Sequence, residues 1–230
     1  MASGVPGGQE RHAHADPRAD ATSPRRAHAG RLRGNRARRL RWRPNAIDPQ
    51  VKQAGFSFDP TVGADDQKWI LEAVDQVRPE ARQLIDDVDG MVTVSMFSEP
   101  EGSAVGTAQQ VSPGRYSLRL NRAYLDGERK ADRHTTVVHE LGHVVDFALM
   151  PAELRDQLAG QLPSSGTCFT ADTGDCTAPE ERFADTFAKW SLRGAVSAYG
   201  AGYGTLTPAS LESWGAPLAT LAIQVEVASR

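Results

Sequence analysis

The chain has 230 residues, a length that suits one domain with a substantial core and a tail. Its net charge of −3 is unevenly placed: residues 1–43 carry +8, every cation an arginine, and the other 187 carry −11. No apolar run reaches the roughly 18 residues of a membrane span, and no apolar stretch of about 7–15 residues follows the early arginines as a signal peptide requires, so no membrane partner is expected.

Residues 1–50 are rich in Arg, Ala, Gly, Pro and His. Such a segment buries too little apolar surface to offset its ordering entropy and reads as a disordered tail. No nucleic acid partner is expected apart from this tail, whose arginines could neutralise phosphates but read first as a solvated charge run. Folded structure is expected from about Asp65, with residues 51–230 forming one domain. "ADDQKWILEAVDQVRPEARQLIDDV" (64–88) has apolar residues at helical spacing, and Pro79 interrupts or restarts the helix. Gly90 closes it. "MVTVSMF" (91–97) reads as a strand, as do "GSAVGTAQQV" (102–111) and "RYSLRLNRAYL" (115–125), joined by a turn at Ser112-Pro113-Gly114. A helix is expected from Asp132 to Met150 and another from Pro151 to Leu162. The next runs from about Thr177 to Leu192, and the last covers roughly 208–223. These elements predict an α+β fold: a small mixed sheet packed on the helix spanning 132–150, plus a mainly helical C-terminal lobe.

Cys168 and Cys176 lie in the loop before the Thr177 helix. Their spacing suits a small disulfide-closed loop, which implies an oxidising compartment; the lack of a signal peptide favours two free thiols instead. Localisation is left open between these readings.

The run "TTVVHELGHVVDF" carries His139-Glu140-Leu141-Gly142-His143. On a helix, residues four apart share a face about 6 Å apart. Two imidazoles so placed can reach one ion, while Glu140, on the flank, can reach a water held there. This is the zincin arrangement of two ligands and a general base. Gly142 weakens the helix by about 1 kcal/mol against Ala, and a small residue there leaves room for another element to approach.

A catalytic zinc takes three protein ligands, so one more is required. The metzincin position, six beyond His143, is Leu149, and the turn glycine of that class is replaced by Asp146; this option is rejected. A glutamate from a later helix is the alternative, and "TAPEERFADTFAKW" (177–190) offers one. Thr177 and Glu180 have capping-box spacing, which would occupy Glu180 at the helix start and leave Glu181 as the ligand. Asp185, one turn beyond, suits a second-shell role, holding a ligand histidine by its other nitrogen. Rival carboxylates are Asp172 and Asp175, although Thr170 stands where the aspzincin Gly-Thr-x-x-Asp motif needs Asp, and Asp146 on the histidine helix itself.

His139-Glu140-x-x-His143 followed by Glu181-x-x-x-Asp185 resembles the gluzincins. The string Glu181-Arg-Phe-Ala-Asp185-Thr-Phe is similar to the glutamate helix of the anthrax-toxin lethal factor peptidase domain. About 25 residues carry the resemblance. It implies a zincin-like fold whose edge strand, "GTAQQV" or "YSLRLN", pairs with an extended substrate, and a Tyr or His that steadies an oxyanion, for which Tyr199, Tyr203 and His134 are candidates. The expected function is that of a zinc-dependent endopeptidase, a metalloprotease acting on peptides or proteins as a monomer. His139, His143 and Glu181 would bind Zn2+, and Glu140 would act as general base. The alternative is a non-catalytic zinc-containing toxin-like or binding module.

Overall fold

The computed structural model describes residues 55–99, 104–126, 131–162, 178–194 and 207–229, all within the compact unit Arg43–Arg230. The arginine-rich tail, both cysteines, Asp172, Asp175, Thr177, Tyr199 and Tyr203 lie outside the described residues.

Order begins earlier than Asp65. Ser57–Phe58 forms a short strand, β1, that pairs in parallel with β2 (Val92–Phe97). A two-residue strand is too short for alternation to show in a sequence. Two helices follow, α1 (Ala64–Asp75) and α2 (Pro79–Asp86). Pro79 restarts rather than kinks the run, because it stands at the first position of α2, where no N–H is needed. Trp69, Ile70, Ala73 and Val74 give α1 its buried stripe. The α2 helix ends at Asp86, and Gly90 lies in a 3-10 turn (Asp89–Met91) that leads into β2.

β2 buries Val92, Val94 and Met96, alternate residues facing the core. β3 (Gly106–Ser112) and β4 (Arg115–Asn121) form a hairpin whose turn needs Gly114, at φ +67°. The sheet order is β1-β2-β4-β3, with β2 and β4 parallel and β3 antiparallel to β4. Of the two strands considered for the edge, β3 takes it and β4 is central.

The run expected as a strand to residue 125 turns helical at Asn121. Its side chain accepts from Ala123 N, capping α3 (Arg122–Leu125), and from Glu99 N, while its amide donates to Glu99 O and Ala104 O. Asn121 is fully buried, and these bonds tie the start of β3 to the end of β4.

α4 (Arg133–Leu149) starts where Asp132 caps it, accepting from Thr135 N at 2.7 Å. It is buried on nearly every side from Thr135 to Asp146, because α1, α2, α6, β3 and β4 all pack on it. Met150 and Pro151 are extended and separate it from α5 (Ala152–Gly160). α6 (Pro179–Ser191) crosses α4 closely, and α7 (Leu211–Ser229) covers α2 and α6. α7 starts later and runs further than expected, and it contains Pro217. Trp214 seats it by donating to Leu158 O at 3.2 Å, and Gly215 lies directly on the Trp190 ring. The architecture is α+β: a small mixed sheet and a mostly helical remainder. Among the described residues, no helix is long and apolar enough to cross a membrane.

Candidate metal centre

The site is set by one helix crossing. At Gly142, a Cβ would stand 3.1 Å from Ala184 Cα and 3.1 Å from a Phe187 ring carbon. Only a residue without a side chain permits this approach at normal contact distances. His139 and His143 flank Gly142 on α4, and Glu181 lies one turn before Ala184 on α6. The crossing therefore brings the three side chains together.

His139 Nε2 stands 3.2 Å from Glu181 Oε2, and His143 Nε2 stands 3.4 Å from Glu181 Oε1. The two imidazole rings are 4.9 Å apart at their centroids and nearly perpendicular. One ligand atom from each of His139, His143 and Glu181 can be chosen so that all lie within 4.8 Å of one another. Both histidines are buried, and Glu181 is half-buried. His143 Nδ1 is buried and has no hydrogen-bond partner among the described residues; its ring is held instead by stacking on Phe147, 6.0 Å away.

The electrostatics match a site for a cation. Burial would raise the Glu181 carboxyl, but hydrogen bonds and positive charge from His139 and His143 outweigh it and hold the group at about 2. Burial lowers His139. It acts the same way on His143, where the hydrogen bond it donates to Glu181 and the charges of Glu140, Glu181 and Asp146 prevail and raise the group. The Glu181 carboxylate thus shares its two oxygens between two buried imidazoles. Two imidazole nitrogens and one carboxylate form a donor set suited to zinc and similar divalent ions. The group can hold a metal ion.

Glu140 is 3% exposed, and burial pushes its carboxyl up to about 8. It lies against β3: a Cβ on Gly106 would be 2.6 Å from Glu140 Oε1. The base candidate is thus wedged between the helix that carries the histidines and the edge strand.

The other expected residues fall as follows. Asp146 is buried, but Arg155 of α5 binds its Oδ1 at 2.7 Å and its carbonyl at 2.9 Å, and it is not part of the group. Asp185 is fully buried and accepts from Lys189 Nζ at 2.5 Å. Burial pushes its carboxyl up to about 6 although Lys189 pulls the other way. His134 is half-buried in the first turn of α4 and is not part of the group. The expected capping role of Glu180 is corrected. With Pro179 at the first helical position, the N-cap is Ala178 and no side chain caps the helix, so Glu180 is exposed and Glu181 occupies the third helical position. Sequence reasoning did not find the Lys189–Asp185 pair, although an i,i+4 Asp–Lys spacing on a helix is its signal. It also did not find the Gly106 contact, which joins residues 34 positions apart.

No protein-family model, curated protein or solved structure matches this chain.

Proposed function

We propose that the chain is a zinc-dependent endopeptidase with a zincin-like fold. The observation that carries this reading is the convergence of His139, His143 and Glu181, from two helices, beside a buried Glu140. His139 Nε2, His143 Nε2 and the Glu181 carboxylate would hold the ion. Zinc in such a site supplies Lewis acidity, activating water near neutral pH and polarising the scissile carbonyl.

The remaining chemistry belongs to the chain. Glu140 follows a ligand directly in sequence and is screened from bulk water, so its carboxylate would take the proton of the attacking water. It would then return that proton to the leaving amine. β3, the edge strand, leaves one row of backbone groups without sheet partners among the described residues. An extended peptide can pair with it, bringing its carbonyl above the histidines. Two neutral imidazoles and one carboxylate leave a divalent site at +1, which favours an oxyanion.

The test is proteolysis of a peptide library by the full chain, with and without a chelator, beside Glu140→Gln. Chelator-sensitive cleavage that Glu140→Gln abolishes while zinc is retained supports the reading. A chain that holds zinc and cleaves nothing is a binding module instead.

A further inference from the structure

We propose that Gly106, the first residue of β3, is a positioning residue for Glu140: its missing side chain is the space in which the Glu140 carboxylate sits. This deepens the peptidase reading and rests on it for the role of Glu140.

The geometry is specific about what would move. A Cβ at position 106 would lie 2.6 Å from Oε1, 2.9 Å from Cδ and 2.9 Å from Cγ of Glu140, and those are its three nearest atoms. The strand cannot retreat easily. Asn121 N donates to Val105 O at 2.9 Å, its side-chain amide donates to Ala104 O at 3.1 Å, and Gly106 pairs with Leu120 in the ladder. The helix cannot retreat either, since α4 is packed by helices and strands around most of its girth. What remains free to give is the Glu140 side chain.

Glycine is not needed here for its backbone. Gly106 is absent from the positive-φ positions of the described residues, so alanine fits the conformation. A methyl group thus meets the Glu140 side chain before any other. To restore ordinary contact at about 3.5 Å, Oε1 must withdraw by almost 1 Å. A misplacement of about 1 Å of a reacting group costs on the order of 100-fold in rate.

The experiment is Gly106→Ala in the full chain, read four ways. Zinc affinity and melting temperature should match the wild type, because neither the ligands nor the backbone is touched. With a cleaved library peptide, kcat should fall about 10–100-fold with KM unchanged. In a Glu140→Asp background, whose carboxylate is one methylene shorter, adding Gly106→Ala should cost almost nothing further. A crystal structure of the variant should show the Glu140 carboxyl displaced by almost 1 Å. An unchanged kcat, an equal loss in the Glu140→Asp background, or an unmoved carboxyl overturns the proposal. If Gly106→Ala does not fold, Gly106→Ala/Glu140→Ala should fold, and failure of both overturns it. A wild type that cleaves nothing refutes the peptidase reading, whereas the crystal structure still decides whether Gly106 places Glu140.

Discussion

Replacing Gly142 by alanine tests the helix crossing that assembles the site. In isolation the change favours the helix by about 1 kcal/mol. In the fold, the new methyl would meet Ala184 Cα and Phe187 Cδ1 at 3.1 Å each and Ala184 O at 3.4 Å. Carbon atoms prefer about 3.5–4.0 Å, so α4 and α6 must part by a few tenths of an ångström. Overpacking of this kind costs about 1–3 kcal/mol. The two terms leave a net loss of about 0–2 kcal/mol. The larger effect is on metal binding. Glu181 is one turn from Ala184, so its oxygens move with α6, and ligand distances tolerate only about 0.2 Å. Denaturant unfolding of the metal-free protein and zinc competition against a chelating dye measure the two effects. Zinc affinity should fall at least tenfold, about 1.4 kcal/mol, and stability by about 0–2 kcal/mol. A variant that is about 1 kcal/mol more stable and binds zinc as tightly as wild type refutes the close crossing.

The buried Glu140 makes stability of the metal-free protein depend on pH. Its folded value of about 8 exceeds the usual 4.5, so its contribution is fully present below about 4.5 and is lost as pH rises toward 8, on the order of 5 kcal/mol in all. Melting from pH 5 to 8 should show this fall relative to Glu140→Gln. Glu181, held at about 2, contributes stability that is lost only as pH falls below the usual 4.5 toward 2, outside that window. Arg155→Met should cost about 1–3 kcal/mol by leaving Asp146 buried without its partner, and Asp146→Asn should leave zinc affinity intact. Asp185→Asn removes the carboxylate that pairs with the buried Lys189 and should lower stability in denaturant unfolding.

Local patterns made much of this molecule legible. The spacing of His139 and His143 was enough to put both imidazoles on one face of α4, and β2 and β4 showed their alternation. Asp132 marked the start of α4 as an N-cap should. Asn121 misled, because a polar residue at the end of an alternating run reads as strand when its side chain is in fact a buried cap and clamp. The capping-box spacing points to Glu181 over Glu180, yet the N-cap of α6 is Ala178, which has no capping side chain. What brings Glu181 rather than Glu180 to the imidazoles is the helix phase set by Pro179 and the crossing at Gly142. The seating of Glu140 against Gly106 and of Trp190 against Gly215 depends on where separate elements meet, which no window of sequence contains.

The most direct test is zinc affinity by dye competition for the full chain, Glu181→Gln and Glu180→Gln. The wild type should bind one equivalent, Glu181→Gln should lose affinity sharply with the anionic ligand gone, and Glu180→Gln should bind as wild type. If Glu180→Gln releases zinc while Glu181→Gln keeps it, or if the wild type binds none, the metal centre described above is wrong.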